Sequence, residues 1–285
     1  MRLGRTLSLL CAGVVAVGSL SVAASASPTG TGSTAVIATA ATESWHQVSK
    51  QTFWLLDALD RGQGVATDGN SWIFNSPYGL LRTELDGKTV KARNAMAIPA
   101  AISAQGGDHI GDISYYDGKI YAPIEDGAHY EHPYIALYDA NTLEYTGTSF
   151  ALPLNLHIGG VPWVAVDAGR GQVYTAQWSN AAVLNVFSLD DMHLIKTVPL
   201  TQTIDRIQGA EIYNGFLYAS SDNSTQTVYR IDPDNGNVTV AFDRNLPSGT
   251  EAQGIAVLPT SNGAILHILD VGSNRISMNF RHYAL

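Results

Sequence analysis

Cysteine is almost absent from this sequence, and charged residues are scarce. The single cysteine is Cys11, and it lies in an N-terminal segment that we expect to be removed. No disulfide is therefore expected in the mature protein. Only 14% of the residues are charged and 45% are hydrophobic. That balance excludes an acidic disordered chain and indicates a packed fold.

Basic residues and catalytic signatures are also in short supply. The chain has 16 Lys plus Arg against 25 Asp plus Glu, a formal net charge of −9. Such a charge repels phosphate backbones, so no nucleic-acid partner is expected. The sequence contains no G-x-S-x-G, H-E-x-x-H, phosphate-loop or dinucleotide motif. No reaction class is therefore indicated by a motif.

The N-terminus carries the pattern of an export signal. Two arginines precede an apolar stretch, and Ala24-Ser25-Ala26 forms a small-residue cleavage site. Residues 1–26 are predicted to be a signal peptide, so we expect a secreted protein with no membrane attachment after cleavage. Residues 27–43 are rich in Ala, Thr, Gly and Ser, which is typical of a flexible leader. A single domain is predicted over residues 44–285.

Internal repeats are the main feature of that domain. Five copies of a motif follow one another, each with a small-residue entry, an alternating apolar strand, a tight turn and a second strand. The aligned entry positions are Gly64, Gly111, Pro162, Gly209 and Gly254, which lie 47, 51, 47 and 45 residues apart. Asp-Gly and Asn-Gly pairs supply several of the turns, and a third and usually a fourth strand follow each pair. Equal units of this kind predict an all-β, five-bladed β-propeller.

The two ends of the domain are predicted to meet. The fifth repeat stops after its third strand, and the segment HQVSKQTFWLLD from His46 reads as a strand before the first repeat. If this strand completes the fifth blade, no sheet edge is left open. We therefore expect a propeller that is closed by its N-terminal strand, and a monomer.

In a propeller, the loops that enter the inner strands share one face with the loops between second and third strands. Polar residues are dense in these loops, and convergent polar groups at one mouth indicate a binding site. Three residues that break the repeat are the candidate catalytic groups: Asp112, His109 and Glu211. The candidate ligand-binding residues are Gln63, Trp163, Trp178, Arg206, Gln208, Glu251 and Gln253.

Each candidate also has a structural interpretation. The three glutamines Gln63, Gln208 and Gln253 recur at one repeat position, which also suits a bond that holds the blades together. Glu211 faces either the central channel around which the blades are arranged or the neighbouring blade, depending on the strand register. The two tryptophans form either an aromatic wall or part of the core.

The loop EDGAHYEH, from Glu125 to His132, is a candidate metal site. Carboxylate oxygens suit Ca²⁺, and His with carboxylate suits Zn²⁺. The predicted ligands are Glu125, Asp126, His129 and His132. A solvated polar loop without metal is the alternative interpretation.

The repeats resemble those of the plant and bacterial glutaminyl cyclotransferases, most closely in QGAEIYNGFLY and TEAQGIAV. The resemblance implies a five-bladed propeller and cyclisation of a substrate glutamine. In that family a glutamate directly before a blade-entry glycine is implicated in catalysis. The corresponding positions here hold Gln63, Ile110, Val161, Gln208 and Gln253. Glu251 lies two residues before Gln253.

The chain also resembles the lactonase-type propellers related to senescence marker protein. That resemblance implies a divalent metal held by carboxylates, with Asp112, Glu211 and Glu251 as the available acids. Two functions stay open: a pocket that binds, and in the enzymatic case hydrolyses or cyclises, a small polar ligand, or a non-catalytic scaffold for a glycan, peptide or protein.

Overall fold

The computed structural model describes residues 43–285. The predicted signal peptide and all but the last residue of the predicted leader lie outside the described residues. The described chain is a five-bladed β-propeller, as predicted, with four short antiparallel strands in most blades. Short helical turns occur only in the connections, as α1 (Leu56–Leu59), α2 (Ala100–Ser103) and a 3₁₀ turn (Leu154–Leu156).

The strand bounds follow the repeats. The chain begins with β1 (His46–Trp54). Blade 1 contains β2 (Gly64–Thr67), β3 (Trp72–Asn75), β4 (Leu80–Thr83) and β5 (Val90–Asn94). Blade 2 contains β6 (His109–Ile110), β7 (Ser114–Tyr116), β8 (Lys119–Glu125), β9 (Tyr134–Asp139) and β10 (Tyr145–Ala151). Blade 3 contains β11 (Ala165–Asp167), β12 (Gln172–Thr175), β13 (Ala181–Ser188) and β14 (Leu194–Ile204). Blade 4 contains β15 (Ile207–Tyr213), β16 (Phe216–Ser221), β17 (Thr227–Ile231) and β18 (Val238–Asp243). Blade 5 contains β19 (Glu251–Val257), β20 (Leu266–Val271) and β21 (Ser277–Ala284).

The fifth blade is completed by β1, which confirms the predicted closure. β1 pairs antiparallel with β21, from His46 opposite Ala284 to Trp54 opposite Ser277. The first and last strands of the propeller therefore share one sheet, in the order β1-β21-β20-β19.

The core is divided among the five interfaces between neighbouring blades. Each interface holds one cluster of buried apolar side chains. Every blade thus buries both of its faces, which explains why its strands read as apolar runs interrupted only by turns. Among the described residues no helix is long and apolar enough to cross a membrane.

Blade 2 departs from the others at its inner strand. That strand is split into β6 and β7, which both pair with β8. The break falls at Asp112, which forms an isolated parallel bridge to Trp163 of blade 3. Ile113, one residue further on, takes the core position of the blade 1–blade 2 interface.

Candidate functional site

The propeller axis is filled by the carboxyl group of Asp112. Its Oδ1 accepts the backbone N–H of Val65 at 2.9 Å, and its Oδ2 accepts that of Ile255 at 3.1 Å. These bonds join blade 2 to blades 1 and 5 across the axis. Burial raises the pKa of Asp112 well above its ordinary value, although the backbone N–H bonds oppose that shift. The central channel of the propeller is therefore closed at the level of Asp112.

The repeated glycines make this arrangement possible. A Cβ on Gly209 would stand 2.3 Å from Asp112 Oδ2, and one on Gly254 would stand 2.2 Å from Asp112 Oδ1. A Cβ on Gly64 would stand 2.6 Å from Asp112 Oδ1. At three of the five entry positions, glycine is required because the strands converge on one carboxyl group.

A polar cavity lies on the side of Asp112 where the inner strands begin; we call it the entry pocket. Its volume is about 190 Å³. It is lined by residues from all five blades: Gln63, His109, Glu125, Tyr130, Pro162, Trp178, Gln208 and Glu251. The structure thus brings five predicted site residues, and one predicted metal ligand, to one mouth.

A carboxylate–imidazole pair forms one wall of the entry pocket. Glu125 Oε1 lies 3.0 Å from Nδ1 of His109, and Gln63 Oε1 lies 3.1 Å from Nε2. Glu125 is held in turn by the backbone N–H of Val161, which donates to its Oε2 at 2.5 Å. A carboxylate in this position orients an imidazole so that its second nitrogen can take or give a proton.

Ion pairs border the same pocket. Glu251 pairs with Arg275 and accepts a hydrogen bond from Gln253 Nε2 at 3.1 Å. The guanidinium of Arg206 pairs with a carboxylate, and it also lies 5.6 Å from the ring centroid of Trp178. That carboxylate belongs to Asp222, whose other oxygen accepts the backbone N–H of Ala252 from blade 5 at 2.8 Å. Arg206 and Gln253 therefore support residues of the pocket wall.

Two predicted site residues lie elsewhere. Trp163 is fully buried in the core between blades 3 and 4. Of the two tryptophans, only Trp178 lines the entry pocket. Glu211 is on the other side of Asp112 from His109, because it comes two residues after Gly209. The period of two along β15 turns the side chain of Glu211 toward the axis. It reaches the axis on the far side of the Asp112 carboxyl. The three candidate catalytic residues therefore do not form one site.

Glu211 lines a second cavity, which we call the exit pocket, together with Thr67, Tyr115, Ile212, Ala256 and Val257. The volume of this cavity is about 170 Å³. Burial raises the pKa of Glu211 to about 7. Its carboxyl accepts the backbone N–H of Ile212 at 2.8 Å and the hydroxyl of Ser114 at 3.1 Å. The group is poised to titrate near neutrality.

The predicted metal loop has another organisation. The carboxylate of Asp126 accepts the backbone N–H groups of His129, Tyr130 and Glu131 at 2.5 to 2.9 Å. Burial acts to raise the pKa of Asp126, but these three donors outweigh it and hold the pKa below its ordinary value. Glu125 points to His109 instead. Across residues 43–285, no group of three or more His, Cys, Asp or Glu side chains is placed to hold a metal ion, so the four predicted ligands do not form a ready calcium or zinc site.

Sequence reasoning missed two residues of the entry pocket. Pro162 stands at the aligned entry position of blade 3 but carries no polar signal. Tyr130 belongs to the loop considered for metal binding, where it adopts a φ of 57° and reaches the pocket beside Glu125. Burial, and then the charge of Glu125, raise the pKa of Tyr130, so it is a neutral hydrogen-bonding group at physiological pH.

Comparison with known proteins supports the fold. Residues 135–271 match the model of a repeat family of unknown function, DUF6923. A search of curated proteins found no match. The crystal structure of glutaminyl cyclase from Myxococcus xanthus superposes with a TM-score of 0.58 at 14% identity, over 84% of this chain and 96% of that one. A chain of the mitotic checkpoint complex gives a TM-score of 0.44 at 9% identity, over 78% of this chain and 60% of that one. The protein is therefore a five-bladed β-propeller that shares its fold with the Myxococcus glutaminyl cyclase.

Proposed function

We propose that the entry pocket binds a small polar ligand. The observation that carries this proposal is the convergence of side chains from all five blades on one cavity of about 190 Å³. Amide, carboxylate and imidazole groups there offer both donors and acceptors, and Trp178 offers a flat apolar surface. Such a combination fixes the orientation of a ligand. A cavity of this volume limits the ligand to a small molecule or the end of a larger one.

We propose further that His109 is the group that moves a proton in this pocket. Glu125 holds the Nδ1 side of the ring at 3.0 Å, and Nε2 lies 3.1 Å from Gln63 Oε1. A ligand that displaces or turns the Gln63 amide would meet Nε2 directly. This pair suits hydrolysis, where the imidazole takes a proton from water, and also cyclisation, where it takes one from an attacking amine. A glutamine-cyclising reaction here would have to use a different acidic group from that of the glutaminyl cyclotransferases. Gln63, Gln208 and Gln253 stand at positions where that family has its glutamate.

A binding screen tests the first proposal. Small polar compounds, including amino acids, sugars and short amides, are screened by thermal shift and the hits are measured by calorimetry. We expect Gln208→Ala to weaken the hits tenfold or more, because it removes a polar contact from the pocket. Gln202→Ala, a matched change on the exposed outer strand β14, should leave affinity unchanged. Equal affinity for both variants would disprove binding at this site.

The scaffold alternative is tested by turnover. Each hit is incubated with the protein and followed by mass spectrometry, with His109→Gln as the comparison. Turnover that disappears in His109→Gln while affinity stays within a few-fold supports the catalytic role. Binding without turnover identifies a non-catalytic binding protein.

We also infer export from the N-terminal pattern. N-terminal sequencing of protein recovered from the medium should give a sequence that begins after Ala26.

A further inference from the structure

A third cavity opens beside the entry pocket, between blades 5 and 1; we call it the apolar groove. Its volume is about 360 Å³, within the range of ligand-binding cavities. The connection from β1 to β2 forms one wall through Leu55, Leu56 and Leu59, and the loop between β20 and β21 forms the other through Ile276. Apart from Gln63, its lining residues differ from those of the entry pocket.

The groove is lined by apolar side chains that are left exposed to solvent. Leu55, Leu56 and Leu59 are 63%, 78% and 66% exposed, and Ile276 is 51% exposed. Single exposed leucines are ordinary, but contiguous apolar surface on a monomer marks a place where something binds. Leu55 also has a φ of 54°, which is costly for a residue with a side chain, and its N–H donates to Ile276 O at 2.9 Å. The backbone is thus bonded across the groove in a strained form that presents these leucines.

The groove adjoins the entry pocket. Gln63 lines both cavities. Arg275 lines the groove and pairs with Glu251, which lines the pocket. A ligand in the pocket therefore has an apolar surface directly beside it, separated only by these polar groups. A molecule with a polar end and an apolar part would fill both cavities at once.

The chemistry of the walls favours a hydrocarbon chain over a peptide. The polar side chains of the groove are Gln63, Arg275 and Ser277, and Arg275 is already paired. A peptide backbone laid along the leucines would gain few hydrogen bonds from these walls, so its N–H and C=O groups would have to keep their water. A hydrocarbon chain has no such groups and would cover the exposed leucines.

We propose that the apolar groove binds the acyl chain of a ligand whose polar end occupies the entry pocket. This inference rests on the proposed function of that pocket, because the pocket supplies the site for the polar end. The ligand class is therefore an acylated small polar molecule, for which an acylated amide is a convenient probe.

The test uses N-acyl glycinamides with acetyl, butanoyl, hexanoyl and octanoyl chains as probes, with affinity measured by calorimetry below the concentration at which they form micelles. We expect affinity to rise about two- to fourfold per added methylene, since each buried methylene adds roughly 0.8 kcal/mol at most. Leu56→Glu and Leu59→Glu should flatten this dependence. Val240→Glu, which changes an exposed apolar residue on the outer strand of blade 4, should keep it.

The outcomes separate the two proposals. Chain-length dependence lost in both leucine variants supports the inference. Binding of every probe with no chain-length dependence, still weakened by Gln208→Ala, overturns the inference and leaves the pocket proposal standing. If affinity rises with chain length but Gln208→Ala does not lower the affinity of any probe, the pocket proposal is overturned, and with it the two-part ligand. Failure of the octanoyl probe to bind, or a dimer that Leu56→Glu dissociates in light scattering, shows that the groove has another occupant.

Discussion

At the scale of single residues, the axis of this propeller is set by one carboxyl group and the glycines around it. Gly209→Ala would place a methyl group 2.3 Å from Asp112 Oδ2 and 2.7 Å from the Cα of Gly254. Neither neighbour can move, because Asp112 is bonded to two backbones and Gly254 lies in a strand. We expect a loss of about 2–3 kcal/mol, seen as a melting temperature lower by roughly 5–10 °C.

Gly62→Ala is the matched control for that substitution. The nearest atoms to a Cβ on Gly62 are carbonyl oxygens 3.7 and 3.8 Å away, an ordinary contact. Its melting temperature should stay within about 2 °C of the wild type. Equal effects of the two alanines would show that the strands do not converge on Asp112 as described.

Glu211 makes the free energy of unfolding depend on pH, and the direction of this dependence follows from its raised pKa. The pKa of its carboxyl is raised from 4.5 to about 7 in the folded protein, so the folded state binds a proton more tightly than the unfolded state. The resulting stabilisation is complete below pH 4.5 and is lost as the pH rises through about 7. Glu211→Gln cannot titrate, so we expect its stability relative to the wild type to increase by about 1–3 kcal/mol between pH 4.5 and pH 8.

Urea unfolding of both proteins at several pH values measures this difference. Comparing the two proteins at each pH cancels other titrations, including that of His267, whose pKa burial lowers to about 4. A stability difference that does not change with pH would mean that Glu211 ionises normally in the exit pocket.

The residue scale is also where sequence reasoning was weakest. The glycines could be aligned from the repeat, and the alternation along β15 allowed Glu211 to face the axis. The alignment places His109 before its entry position and Glu211 after its own, but the sequence could not show that the Asp112 carboxyl closes the axis between them. That blockage follows from the break in blade 2, where Asp112 replaces the apolar residue found after the entry position in the other blades. Trp163 is one of those apolar residues, which is why it lies in the core.

At the scale of elements, the loop between β8 and β9 depends on Asp126. Its carboxylate binds three successive backbone N–H groups, and this holds Tyr130 against the entry pocket. Asp126→Ala leaves those donors without their partner, and we expect a loss of about 1–3 kcal/mol together with faster amide exchange at residues 127–132. The affinity for any ligand of the entry pocket should fall as well.

A control of the same chemistry exists on the turn between β9 and β10. Asp139 accepts the N–H groups of Asn141 and Thr142 at 2.9 and 2.8 Å, but this turn does not contribute to the entry pocket. Asp139→Ala should speed amide exchange in its own turn and leave ligand affinity unchanged. A loss of affinity in both variants would point to a global effect on the fold and not to the loop.

Strands and turns were well predicted because they are local. Apolar alternation and the Asp-Gly and Asn-Gly turns depend on a few neighbouring residues. The apolar groove was missed for the opposite reason. The predicted strand before the first repeat includes Leu55 and Leu56, whereas β1 ends at Trp54 and a short helix follows. Only the positions of blades 5 and 1 show that these leucines face solvent.

At the scale of the whole molecule, the ring is closed by the pairing of β1 with β21. Phe53 of β1 is buried, and its ring lies 5.8 Å from that of Phe74 in blade 1 and 4.4 Å from the guanidinium carbon of Arg61. β1 therefore completes blade 5 and also packs on blade 1. A protein that begins at residue 56 would expose the edge of β21 and the apolar face beneath it. We expect it to self-associate and to lose its sharp melting transition, because exposed strand edges pair with other chains.

A synthetic peptide of residues 46–54 should restore the closed ring in that shortened protein. The peptide can add to β21 through backbone hydrogen bonds and insert the ring of Phe53, a form of recognition in which a strand completes a sheet. The matched control is the same peptide with Phe53→Ala, whose loss of a buried aromatic ring costs about 3–5 kcal/mol. We expect the first peptide to give a monomer with a cooperative melt, and the control to fail at equal concentration. If the shortened protein is already monomeric and melts cooperatively, the ring does not need β1. If both peptides restore it equally, closure rests on backbone pairing and not on the packing of Phe53 between the two blades.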